Sequence, residues 1–269
     1  MSKIRLYKGT NLTEVRDEAR PLIKNVLWER DVVMLLGTEK AGKSILAQQM
    51  AFALTSGEPF LEHNEVPEPC AVFYLQTEGK DAEMARRIEV MANALKVNRE
   101  LYYRAYKKFL PLDVLEFRDE LIALIRAQNP LPKVMFIDSL YTTCVGDLSD
   151  NKDMRTLMAE ISYLADMFGM AVVIIHHEIK TGFVQGEDNK MREVKTGDNR
   201  SYGSVFLRAF CEHILYLQRT GGKRSMGRSL SCETTRTGLV LEEQRLELVQ
   251  PDPLYFKPVN NPNVSESHV

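Results

Sequence analysis

Residues 37–44 read Gly37-Thr38-Glu39-Lys40-Ala41-Gly42-Lys43-Ser44, which satisfies G-x-x-x-x-G-K-[ST] at every fixed position. The context fits as well. Val32–Leu36 before it is an aliphatic, strand-sized run, and Ser44–Thr55 after it carries Ile45, Leu46, Met50, Ala51 and Leu54 at helical spacing. Glycines at both ends of such a loop let backbone N–H groups turn inward around a phosphate, and the helix N-terminus adds positive potential. The loop residues and Ile45 behind them are therefore the candidate nucleotide contacts. Lys43 can reach the terminal phosphates, and the Ser44 hydroxyl is a hard oxygen donor for Mg²⁺. By chance the pattern arises in roughly one unrelated chain of this length in a hundred.

Outward from the loop, strand-like and helix-like segments alternate. Ala71–Leu75, Val134–Ile137 and Ala171–Ile175 read as buried strands; Asp81–Leu95, Leu115–Ala127 and Asp153–Phe168 read as amphipathic helices. That order predicts right-handed βαβ units, hence a parallel sheet covered on both faces. After Arg200 the pattern changes. His213–Gln218, Arg228–Thr234, Leu239–Glu243 and Arg245–Val249 read as consecutive strands, an antiparallel extension of the same sheet. The expected class is α/β, mostly parallel. The expected organisation is an N-terminal extension over 1–25, one domain over 26–250, and an extended or mobile tail over 251–269.

Two acids end strands. Lys133-Val134-Met135-Phe136-Ile137-Asp138 places a carboxylate at the C-terminal end of a parallel strand, where such folds bind ligands. Asp138 is thus a candidate magnesium ligand through water, or a cap of the next turn, which Ser139 also suits. Glu78 ends Ala71–Gly79 in the same way. If that strand neighbours the phosphate-loop strand, Glu78 can orient or deprotonate an attacking water; equally, it can open the Asp81 helix, where acids suit the dipole. His176 and His177 follow the strand Ala171–Ile175. No zinc-protease motif fits, since Thr181 stands four positions after His177, and alternation sends the two rings to opposite faces. A buried, hydrogen-bonded histidine and a polar sensor both remain open.

Two loops could contact a partner. Residues 180–202 carry five basic side chains against four acids, with Phe183 and Tyr202 among them. Such a segment could follow a single nucleic-acid strand by charge and stacking, or simply be solvated. Leu140–Asp153 is acidic and offers Tyr141.

Composition narrows the field. The chain is 44% hydrophobic and 27% charged, so disorder as the default is excluded. With 35 Lys+Arg against 37 Asp+Glu, a globally basic nucleic-acid coat is excluded too, although a local basic loop is not. Apolar runs are strand-sized, the first thirty residues carry charges throughout, and the four cysteines form no Cys-x-x-Cys pair. The expected setting is the cytoplasm, with no membrane partner.

Taken in order, GTEKAGKS with ILAQQMAFALTSGEPF, then YLQTEG, VMFIDSL, VVIIHHEIKTG and SYGS at 201–204 resemble the RecA-like ATPases. Within them they resemble the plasmid and phage RepA-type hexameric replicative helicases, over Val26 to Val249. The resemblance implies a RecA-like core that binds ATP and Mg²⁺, works as a homo-oligomeric ring such as a hexamer, and acts on single-stranded DNA. It assigns Gly37–Ser44 to the phosphate loop, Glu78 to the catalytic base, Asp138 to the magnesium carboxylate and His177 to γ-phosphate sensing. Residues 180–200 become the DNA loop. Arg236, in Glu233-Thr234-Thr235-Arg236-Thr237-Gly238, resembles the finger strand of related helicases with threonine in place of a lysine; Arg208 is a second candidate. The competing readings are a KaiC-like or recombination-mediator ATPase that does not unwind, and a small-molecule P-loop kinase.

Overall fold

A computed structural model describes residues 20–148, 150–177, 182–185, 191–194, 209–222, 225–234, 241–249 and 254–259. In chain order, a short hairpin, β1 (Pro21–Ile23) and β2 (Leu27–Trp28), precedes β3 (Val32–Leu36) and helix α1 (Lys43–Ser56). Next come β4 (Val72–Gln76), α2 (Asp81–Ala94), β5 (Tyr102–Tyr106), α3 (Leu115–Arg126), β6 (Val134–Asp138), α4 (Asn151–Phe168) and β7 (Ala171–Ile175). A small hairpin, β8 (Gly182–Gln185) with β9 (Met191–Val194), is followed by β10 (His213–Arg219), β11 (Gly227–Thr234), β12 (Gln244–Val249) and β13 (Tyr255–Pro258).

The main sheet runs β13-β12-β11-β10-β3-β7-β6-β4-β5. From β10 to β5 every neighbour is parallel, and from β10 to β13 every neighbour is antiparallel. This is the mostly parallel α/β architecture with an antiparallel C-terminal extension that the alternation predicts.

The parallel strands are apolar almost throughout because both faces are covered. Alternate residues go to opposite sides. Val33, Leu35, Tyr74, Phe136 and Val173 face α1, whereas Val32, Met34, Phe73, Met135 and Val172 face α3 and α4. α4 enters on Asp150, whose side chain accepts from the Lys152 and Asp153 amides, and leaves on Gly169 at φ 62°. The helix expected from Asp153 thus starts at Asn151, with Asp153 in its first turn. α1 is buried nearly all round, since it packs beneath the sheet centre with β13 along one side.

Several expectations change. β5 went unread because Tyr102-Tyr103-Arg104-Ala105-Tyr106 puts an arginine at its centre; it is an edge strand, with one side unpaired, so it tolerates a charge. Residues 241–243 do not form a strand but lead into β12, while 235–240 lie outside the described residues. The boundary expected after residue 25 falls inside the β1–β2 hairpin, whose Leu22, Ile23, Val26 and Leu27 join the core. Of the segment expected to be extended or mobile from Pro251, Tyr255–Pro258 is extended, held as β13 against β12. Residues 1–19 lie outside the described residues. Among the described residues, no helix is long and apolar enough to cross a membrane.

Candidate active site

The loop between β3 and α1 is shaped by two glycines. A Cβ at Gly37 would lie 2.2 Å from the Leu217 carbonyl oxygen on β10, so only glycine lets the loop pass there. Gly42, at φ 103°, is the N-cap of α1. That N-terminus has no side-chain cap and no acid in its first turn, leaving its amides and dipole for an anion.

Lys43, buried to 4% exposure, folds its ammonium back onto the loop: Nζ donates to the Gly37 carbonyl at 2.9 Å and to Thr38 at 3.0 Å. It lies 3.2 Å from His177 Nδ1. His177 is therefore the member of the histidine pair that faces the loop, as alternation requires, while His176 is buried and its amide donates to the Leu35 carbonyl. Shielding against the loop, and then the Lys43 charge, hold the His177 imidazole below the ordinary histidine range; Glu78 and Glu39 oppose this.

Asp138 closes β6. Its Oδ1 accepts from Ser44 Oγ at 3.1 Å and its Oδ2 from the Tyr74 hydroxyl at 2.8 Å. Burial holds the Asp138 carboxyl above the usual aspartate range, with the two hydroxyls pulling it back. A Ser/Asp oxygen pair fits a hard cation that keeps waters and phosphate oxygens as its other ligands. Among the described residues no cluster of three or more His, Cys, Asp or Glu could cage a metal by itself.

Glu78 reaches the same place by another route. β4 does not neighbour β3: β7 and β6 lie between them. The adjacency supposed from sequence is not what brings Glu78 in. β4 instead pairs with β6 in register, Gln76 beside Asp138, so the two strand ends stop at the same level. Ser139 Oγ donates to the Glu78 carboxylate. Thr77 and Thr142 buttress Ser139 from behind, with the Ser139 amide donating to Thr77 Oγ1 at 3.0 Å. Tyr141, beyond this network, is 66% exposed.

These groups line one cleft of about 610 Å³. Lys40, Gly42, Lys43, Ser44 and Ile45 form its floor, and Glu78, Asp138 and His177 one wall. The sequence reading missed the other wall, which the extension supplies through Arg219, Ser225, Met226, Arg228 and Leu248; it also missed Arg87 of α2. One signal was available: alternation along β11 puts Arg228 on the face of Leu230, an unusual place for a cation. Arg236, Arg208 and 201–204 lie outside the described residues, and of 180–202 only the backbones of β8 and β9 are described.

Comparison with known proteins agrees with this fold. A family model described as AAA domain matches residues 9–182. A KaiC-like protein of the hyperthermophilic archaeon Pyrococcus horikoshii superposes with a TM-score of 0.58 at 12% identity, covering 89% of this chain and 94% of that one. The RadB recombinase superposes with a TM-score of 0.57 at 16% identity, covering 86% and 92%. At such identities the likeness is one of fold. No curated protein matches the chain in sequence.

Proposed function

We propose, for a chain that belongs to the AAA domain family and has a RecA-like P-loop ATPase fold, Mg²⁺-dependent ATP hydrolysis coupled to single-stranded DNA. The observation that carries the first half is convergence. Glu78 and Asp138 end neighbouring strands and line one cleft with Lys43, Ser44 and His177.

In this reading the residues from Gly37 to Ile45 receive the phosphates. Lys43 leaves the Gly37 and Thr38 carbonyls to meet the transferred phosphoryl group. Ser44 and Asp138 would hold the magnesium, which when bound neutralises phosphate charge. Glu78, oriented by Ser139, takes a proton from the water whose oxygen bonds to the γ-phosphorus as the bond to ADP breaks. His177 is placed to report the γ-phosphate to the chain that follows it, 180–202, the proposed DNA contact. Arg236 from a neighbouring copy would complete the site in a ring, in the manner of the RepA-type helicases. The proposed organisation is one ATPase unit that includes the β1–β2 hairpin and β13, working in the cytoplasm.

A second reading keeps the chemistry and drops unwinding. It is supported by the likeness in fold to a KaiC-like protein and a recombinase, and suits signalling or recombination mediation.

The test is ATP turnover with and without single-stranded DNA across a salt series, followed by a forked-duplex assay. Stimulation that fades as salt rises, with unwinding, is the expected result; stimulation without unwinding favours the second reading, and a flat response rejects DNA coupling. Lys43→Ala is expected to abolish turnover in a folded chain, and full activity there would reject the site.

A further inference from the structure

Arg228, the second residue of β11, has only 3% of its surface exposed, yet it lines the cleft. Its Nε donates to the Ala41 carbonyl at 2.6 Å, and one terminal nitrogen donates to the carbonyls of Ser225 at 2.9 Å and Gly227 at 2.8 Å. Among the described residues its hydrogen-bond partners are backbone carbonyls. Directly opposite it in the ladder stands Arg219 of β10, which donates to the Lys40 carbonyl at 2.9 Å. Burial, then the Arg219 charge, hold the Arg228 guanidinium below its ordinary range. A buried cation facing another cation is costly, so the arrangement makes physical sense where an anion is to arrive.

The bond to Ala41 has a stereochemical consequence. In a trans peptide the carbonyl oxygen and the following N–H point in opposite directions. The Ala41–Gly42 peptide is trans. With its oxygen drawn toward β11, the Gly42 N–H is turned away from that strand. A rigid guanidinium fork, anchored on three carbonyls, fixes this peptide better than a flexible ammonium would.

Taking the cleft as a nucleotide site, as above, we infer that Arg228 is the positioning residue of the phosphate loop. Backed by Arg219, it locks the Ala41–Gly42 peptide in its phosphate-accepting orientation and biases the extension-side wall toward a polyphosphate. The contact is the same in ground and transition states, so its loss raises KM and the Kd far more than it lowers kcat.

The experiment measures Kd for a non-hydrolysable ATP analogue with Mg²⁺, steady-state ATP turnover, and melting with and without the analogue. It uses the full chain, Arg228→Met and Arg228→Lys. Arg228→Met is expected to weaken binding at least tenfold, with kcat at saturation within about threefold of the parent and most of the nucleotide-induced melting shift lost. Arg228→Lys, which keeps the charge but not the fork, is expected to fall between. Either variant, folded, with the parent's affinity overturns the inference; so does a kcat that collapses while KM is unchanged. If Arg228→Met does not fold, Arg228→Lys decides alone. A parent chain that fails to bind the analogue rejects the nucleotide reading instead, which separates the two failures.

Discussion

Asp138 shows at the scale of one side chain what its proposed metal role would cost in stability. Its carboxylate is 5% exposed and is met by two neutral hydroxyls, Ser44 and Tyr74, rather than by a cation in hydrogen-bond contact. Burial therefore dominates, and the group sits above the ordinary aspartate value of 3.8. The folded chain binds this proton more tightly than the unfolded chain does. Its contribution to stability is thus complete below 3.8 and is lost as pH rises through the elevated folded value. Above that folded value the nucleotide-free protein holds a buried charge whose hydrogen-bond partners are two hydroxyls. Asp138→Asn is accordingly expected to stabilise the nucleotide-free chain by about 1 kcal/mol, or roughly 2–4 °C in melting temperature, while abolishing Mg²⁺-dependent hydrolysis. Calorimetry at neutral pH checks the first part; a lower melting temperature would mean that the carboxylate is a net stabiliser. Asp138 was legible because an acid after four apolar residues must emerge at a strand's end. Tyr74 was not, since its hydroxyl meets Asp138 only through the pairing of β4 with β6.

At the scale of elements, α1 and β13 form the joint on which the phosphate loop rests. Gln49 of α1 and Phe256 of β13 exchange two hydrogen bonds at 2.9 Å, amide to carbonyl in one direction and carbonyl to amide in the other. The Phe256 ring, 1% exposed, lies under Gly42: a Cβ there would come within 2.7 Å of its Cζ. Removing the ring leaves a void directly beneath the loop. Phe256→Ala is expected to cost about 3–5 kcal/mol and also to weaken nucleotide binding, read by denaturant unfolding and analogue titration. Lost stability with unchanged affinity would show that β13 supports the sheet but not the loop. α1 was legible as a helix from its apolar spacing. Its near-complete burial was not, because that depends on β13, some 200 residues away in the chain.

The whole molecule divides across its sheet and along it. Across the sheet, α1 with α2 and α3 with α4 bury two separate apolar cores. Along it, the parallel half carries Glu78, Asp138 and His177, and the antiparallel half carries Arg219 and Arg228, so the cleft exists only where the halves meet at β3 and β10. If a neighbouring copy completes this cleft, turnover per protomer is expected to rise with protein concentration, and Arg236→Ala is expected to hydrolyse slowly while binding nucleotide normally. Specific activity that stays constant over a hundredfold dilution would make each protomer self-sufficient. The phosphate loop, the flanking strand and helix, the parallel βαβ order and the acids at strand ends were determined by the sequence alone, because each depends on residues within a few turns of one another and on periodicity that local backbone geometry enforces. Tertiary structure decided which strands neighbour which, that Glu78 arrives beside Asp138 rather than beside the loop strand, that His177 and not His176 meets Lys43, and that two arginines brace the loop from the far half of the sheet. Outside the C-terminal antiparallel pairs those contacts join residues 30 to 187 positions apart, and no local preference encodes a partner at that distance; only the closing of one core around a shared sheet selects it.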